Sequence, residues 1–152
     1  MIHYSKANLI HVNQMQSLVQ AYVDDGTILE RSADEIATNI RSYTLAFEEE
    51  RLVGFSALHI HTVSLAEIRS LIVHENYRDK GVGKELVSLG LKEGDSLGLK
   101  EVLVLTYKQA FFEKLGFVEI PKESLPEHKI WADCIKCKHF PLCNEVSLIK
   151  KY

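Results

Sequence analysis

A mixed α/β domain around one central sheet is the fold that three observations predict. The chain has 152 residues, 46% hydrophobic and 26% charged, which suits one domain with one core. Helical and strand periodicities alternate along it in the order α, α, β, β, β, α, β, α, β, β, the pattern of helices laid on a shared sheet. Within this order the stretch IVHENYRDKGVGKELV passes from β-type to helical through Arg78, Asp79, Lys80 and two glycines, Gly81 and Gly83.

Each element has its own signal. Val12, Met15, Leu18, Val19 and Tyr22 recur at helical spacing, predicting an amphipathic helix over residues 11–23 that ends before Asp24-Asp25-Gly26. Ser32 and Glu35 form a Ser-x-x-Glu capping box that opens a second helix, with Ile36 and Ile40 on one apolar face. YTLAFEE from Tyr43, a charged turn at Glu49-Glu50-Arg51 and LVGFSALHIH read as a hairpin, which LAEIRSLIV (residues 65–73) extends. Leu86, Val87, Leu91 and Leu97 predict a helix through the 80s and early 90s, and EVLVLTY (residues 101–107) reads as a buried strand. Ala110 to Leu115 is a short helix stopped by Gly116. FVEI and, past a loop with Pro121, Pro126 and Pro141, EVSLIK (residues 145–150) complete the strands.

A net charge of −3 provides no basic field for a phosphodiester backbone, so small ligands fit better than nucleic acid. The N-terminus MIHYSKANLI lacks a basic segment followed by an apolar one, and no run of about 18 apolar residues occurs, so a soluble cytoplasmic protein is expected, with no membrane partner. A homodimer is left open. Cys134, Cys137 and Cys143 are odd in number and lack a secretion signal, which argues against a disulfide framework. In WADCIKCKHFPLCNE, His139 and Cys143 follow the Cys-x2-Cys pair too closely for the usual second half of a zinc site. Reduced thiols in a loop anchored by Trp131 and Phe140 are expected, and no metal.

The Arg78-x-x-Gly81-x-Gly83 junction has the parts of an anion cradle. A helix start leaves several backbone N–H groups unpaired and pointing one way, and the helix dipole adds to their pull. Gly81 and Gly83 let a ligand approach the backbone, and Arg78, Lys80 and Lys84 surround it with positive charge. Neither the Walker loop nor the dinucleotide fingerprint is present, and the plain alternative is a turn before a helix.

This junction resembles the Arg/Gln-x-x-Gly-x-Gly/Ala pyrophosphate loop of the GCN5-related N-acetyltransferase superfamily, and AEIRSLIV and AFFEKLGF resemble that superfamily's fourth strand and second conserved helix in the right order. Through DDGTILERSADEIATNIRSY, GFSALHI and VLTYKQAFFEKLGF, nearly the whole chain is similar to the N-acetylglutamate synthases and their short, kinase-free forms. The resemblance implies a sheet whose fourth and fifth strands splay apart. Acetyl-coenzyme A would lie with its pyrophosphate on Arg78, Asp79, Lys80, Gly81, Val82, Gly83 and Lys84, and its pantetheine arm along the backbone of Leu71, Ile72 and Val73.

It also implies transfer of the acetyl group to the α-amine of a small amino acid, L-glutamate first among them. Glu67, eleven residues before Arg78, stands where histone-acetylating members carry their general base; the plain alternative is a solvent-facing strand glutamate paired with a neighbour. Where many members place a tyrosine general acid this chain has Phe112, counted with the cofactor-binding residues, so water, Thr106 or Tyr107 would protonate the leaving thiolate. Arg31 in the ERS stretch, with Ser32, matches an Arg-Ser pair near the amino-acid pocket; Arg69 shares a strand face with Glu67; His59 stands where longer synthases use a lysine for the α-carboxylate. Two rivals remain open: transfer to another small amine or a protein N-terminus, and a non-catalytic module sensing acyl-coenzyme A, metal or redox state.

Overall fold

The computed structural model describes residues 1–26, 30–121 and 146–152. Seven strands form one sheet: β1 (Ile2–Lys6), β2 (Tyr43–Glu48), β3 (Arg51–Ile60), β4 (Leu65–Val73), β5 (Glu101–Thr106), β6 (Val118–Ile120) and β7 (Val146–Lys151). Four helices flank it: α1 (Val12–Asp24), α2 (Ala33–Thr38), α3 (Val82–Leu97) and α4 (Gln109–Glu113). The expected mixed α/β domain is therefore present, with one strand more than the periodicity predicts. That strand is β1, an edge strand in which only Ile2 and Tyr4 turn inward while His3, Ser5 and Lys6 face water. Ile40 falls in a short 3₁₀ turn (Ile40–Ser42) and not in α2, because Asn39 leaves helical geometry and caps the helix at Thr38. Pro126, Trp131, Cys134, Cys137, His139, Phe140, Pro141 and Cys143, of which a loop of reduced thiols is expected, lie outside the described residues.

Strand order is β1-β2-β3-β4-β5-β7-β6, and every pair is antiparallel except β4 with β5. The parallel pair is short. Only Leu65, Ala66 and Glu67 face Glu101, Val102 and Leu103; beyond them the two strands part. This is the splay that the resemblance implies.

Both faces of the sheet are covered. On one, Met15, Leu18, Val19 and Tyr22 of α1 and Ile36 of α2 pack on Tyr43, Leu45, Phe55 and Ile72. On the other, α3 lays Val82, Leu86 and Val87 against Val53, Ile68, Val102 and Val104. Gly90 sets the depth of that contact, since a Cβ there would stand 2.8 Å from Ile68 Cδ1. Among the described residues no helix is long and apolar enough to cross a membrane.

Candidate active site

The site begins with a fault in β4. Phe55 pairs with Ile72 and Ala57 with Arg69, so Ser70 and Leu71 together oppose Ser56, a β-bulge with Ser70 left-handed at φ 57°. The extra residue reverses the alternation of faces. Ala66 and Ile68 pack on the α3 side, whereas Ile72 packs on the α1/α2 side. Glu67, Arg69 and Ile72 are thereby brought to one face, at the mouth of the gap between β4 and β5. Glu67 is the last β4 residue bonded across to β5. From Ile68 to Val73 the β5-facing edge has no ladder partner among the described residues, which leaves backbone groups for an extended ligand.

The gap leads to the glycine turn. After β4 a 3₁₀ turn (Glu75–Tyr77) and Arg78 precede Asp79 at φ 63° and Gly81 at φ 83°, and α3 starts at Val82 with no side-chain cap from Gly81. The first-turn amides of Val82, Gly83 and Lys84 thus lack helical acceptors, in the alternating geometry that makes a concave anion site. Val82 buries its side chain in the α3 core, so only its backbone is offered. Arg78 is held: Nε donates to the Val73 carbonyl at 3.2 Å, and the guanidinium lies 5.3 Å from the centre of the Tyr22 ring. Lys80 lies over Tyr77 at 5.4 Å, and Lys84 is exposed.

On the α1/α2 face a pocket opens between α1 and the sheet, lined by Gln16, Gln20, Arg31, Tyr43, Phe55 and Ser70 among others. Burial raises the Tyr43 hydroxyl above its usual 10.0, while Arg31 and Arg69 and a hydrogen bond with Ser70 pull it down. Both arginines therefore lie within electrostatic reach of one buried hydroxyl. Arg69 also donates to His59 Nδ1 at 3.0 Å. A guanidinium can only donate, so His59 is neutral with its hydrogen on Nε2, and Arg69 carries the positive charge of that pair.

Glu67 is 2% exposed and is not a solvent-facing strand residue. Its Oε1 lies 2.8 Å from His61 Nε2, whose side chain is 3% exposed. The rings of His59 and His61 meet edge to face at 4.9 Å.

The remaining candidates scatter. Ser32 caps α2, accepting from the Glu35 amide at 3.1 Å, and Arg31 lies 3.8 Å from Glu35. Thr106 Oγ1 accepts from the Lys108 amide at 2.9 Å, and Tyr107 just past β5 is 49% exposed. Phe112 is buried between Phe111 and Phe117 in the core. Ile72 is core as well, while Leu71 and Val73 are half-buried. His61, Tyr43 and Ser70 are site residues that sequence reasoning missed. Period-two spacing from His59 could have found His61; a non-glycine bulge leaves no local signal. Among the described residues no cluster of His, Cys, Asp and Glu could hold a metal ion.

Comparison with known proteins agrees with the fold. Residues 13–117 match the Acetyltransferase (GNAT) family. An uncharacterized N-acetyltransferase of Chlorobaculum tepidum is 37% identical over 95% of this chain and 92% of its own length. An amino-acid acetyltransferase of Haemophilus ducreyi is 28% identical over 74% of this chain, which spans only 26% of that relative. Among solved structures, N-acetylglutamate synthase from Neisseria gonorrhoeae, complexed with coenzyme A and N-acetyl-glutamate, superposes with a TM-score of 0.88 at 20% identity, over 99% of this chain and 35% of that one. Rv2747 from Mycobacterium tuberculosis, in complex with CoA and NLQ, superposes with a TM-score of 0.84 at 22% identity, over 99% of both. These two likenesses establish the fold.

Proposed function

The chain belongs to the acetyltransferase (GNAT) family, and from that premise we propose that it transfers the acetyl group of acetyl-coenzyme A to the α-amine of a small amino acid, L-glutamate first among them. The observation that carries this reading is the parting of β4 from β5 at a buried glutamate, on the face where two arginines converge. N-Acetylglutamate would be the product, at the start of arginine biosynthesis.

Acetyl-coenzyme A supplies an activated acyl group as a thioester. The first-turn amides of α3, with Arg78, Lys80 and Lys84, hold its pyrophosphate, a doubly charged group suited to a helix N-terminus. The open edge of β4 at Leu71 to Val73 takes the arm as an added strand, and one β4 amide donates to the thioester oxygen as negative charge builds there. Arg31 and Arg69 each take one carboxylate of the amino acid. An α-amine is largely ammonium at neutral pH, so Glu67 accepts a proton from it, directly or through a water. The amine nitrogen then bonds to the carbonyl carbon, the C–S bond breaks, and the second proton that the nitrogen must shed passes to the departing thiolate, relayed by water or by the Thr106 or Tyr107 hydroxyl, so that amide and thiol leave neutral. A thiolate is a modest base, so this last proton needs little help.

The test is thiol release from acetyl-coenzyme A with a panel of amino acids, other amines and N-terminal peptides. Glutamate-dependent release is expected. Binding of the coenzyme with no release for any acceptor would overturn the reading in favour of a sensing module.

A further inference from the structure

Glu67 does not stand alone at the vertex of the gap. Its partner, His61, lies on the connection between β3 and β4, and that connection is stapled from several sides. The His61 and Thr62 amides donate to the Leu65 carbonyl at 2.9 and 3.1 Å, Thr62 Oγ1 accepts from the amides of Ser64 and Leu65, and the Ser64 carbonyl accepts from Lys100 and Glu101 at the start of β5. A ring on so constrained a backbone, packed edge to face on His59, has little freedom to turn. His59 is itself fixed by Arg69. The imidazole is thus presented to the carboxylate in one orientation, with both groups withdrawn from water. A carboxylate can only accept, so with Glu67 ionised His61 Nε2 carries the hydrogen.

We infer that His61 is a positioning residue for the proton acceptor Glu67: its Nε2–H holds Oε1, keeps the buried carboxyl in its ionised form, and fixes its direction at the opening between β4 and β5. The inference rests on the transfer reading and deepens it. In water an acceptor carboxylate is held charged by solvent; at this buried position a charge-assisted hydrogen bond does that work, in a setting where it counts for more. Arg69 and His59 are charged or titratable neighbours on this part of the face, with Arg31 and Tyr43 beyond them; β5 contributes the apolar Leu103 opposite Glu67 and, two residues before it on the same face, Glu101 opposite Leu65.

Two measurements on His61→Leu and His61→Gln test it, since Gln keeps an N–H donor of similar reach and Leu has none. The first is the titration of the Glu67 side-chain carbon by ¹³C NMR in the unliganded protein. In His61→Leu its midpoint is expected to rise by roughly one to two pH units, the equivalent of losing a hydrogen bond to a charged group, and in His61→Gln to stay near the unsubstituted protein. The second is the pH profile of thiol release. In His61→Leu the acid limb moves to higher pH and kcat falls by roughly 10- to 100-fold with KM for acetyl-coenzyme A unchanged, and Gln restores most of the rate. An unmoved midpoint in folded His61→Leu, or equal loss in both variants, would overturn the inference. Should His61→Leu not fold, His61→Asn, whose amide is too short to reach, replaces it under the same criteria. If the unsubstituted protein releases no thiol with any acceptor, the transfer reading fails on its own account and the NMR titration still decides the His61–Glu67 pairing.

Discussion

Replacing Glu67 by Gln keeps an oxygen to accept from His61 and removes the charge, so the fold should survive while kcat/KM drops roughly 10²- to 10⁴-fold, measured by thiol release alongside the melting temperature. Arg69→Lys keeps the charge and loses the two-pronged donor; KM for the amino acid should rise with KM for acetyl-coenzyme A unchanged. Tyr43 gives a separate reading of the same pocket. Its hydroxyl titrates above 10.0 because it is buried, so the folded state holds the proton after the unfolded state has released it. The unfolded state then binds fewer protons, and stability, fully present below pH 10, falls as pH rises through the folded pKa. Tyr43→Phe should flatten that decline in urea titrations run at successive pH values. Part of this scale was legible: Glu67 and Arg69 share a face because alternate strand residues do, and the register of β4 agrees; that His59 stands directly across from Glu67 was not, since it depends on how β3 pairs with β4. The His61–Glu67 contact was not, since it depends on how a turn folds a ring back over a neighbouring strand.

Elements depart from the sequence pattern where the pattern itself is weak. β1 was missed because an edge strand with three residues facing water shows little apolar alternation. The β4 bulge was missed because Ser70 takes a left-handed conformation without the glycine that usually announces one. By contrast the α3 start was legible from the change of pattern at the two glycines Gly81 and Gly83, and Gly81 takes the left-handed conformation, φ 83°, that glycine adopts at least cost. Gly81→Ala would meet no neighbour within 4 Å, so its whole effect is conformational. A loss of about 1–2 kcal/mol in unfolding free energy is expected, with a higher KM for acetyl-coenzyme A as the amides turn away. Equal KM values for the two proteins would show that the turn is not the anion site.

At the scale of the molecule, the strands β1–β4 and β5–β7–β6 are two antiparallel blocks joined by three residue pairs and by α3 lying across them. A coenzyme arm seated between β4 and β5 touches both blocks. Saturation at a hundredfold excess over Kd would add about 2.7 kcal/mol of stability, or roughly 5–10 °C in Tm for a chain of this size, readable by scanning calorimetry. The fold class followed from segment order and length, whereas the shortness of this junction did not, because nothing in the residues of β4 or β5 marks where their pairing ends. Its brevity also bears on how the chain assembles. Within the first block β2, β3 and β4 are joined by hairpins and can zip up early, but Leu65–Glu67 must find Glu101–Leu103 across an intervening helix, so that suture closes late and Val102→Ala should hasten unfolding far more than it slows refolding.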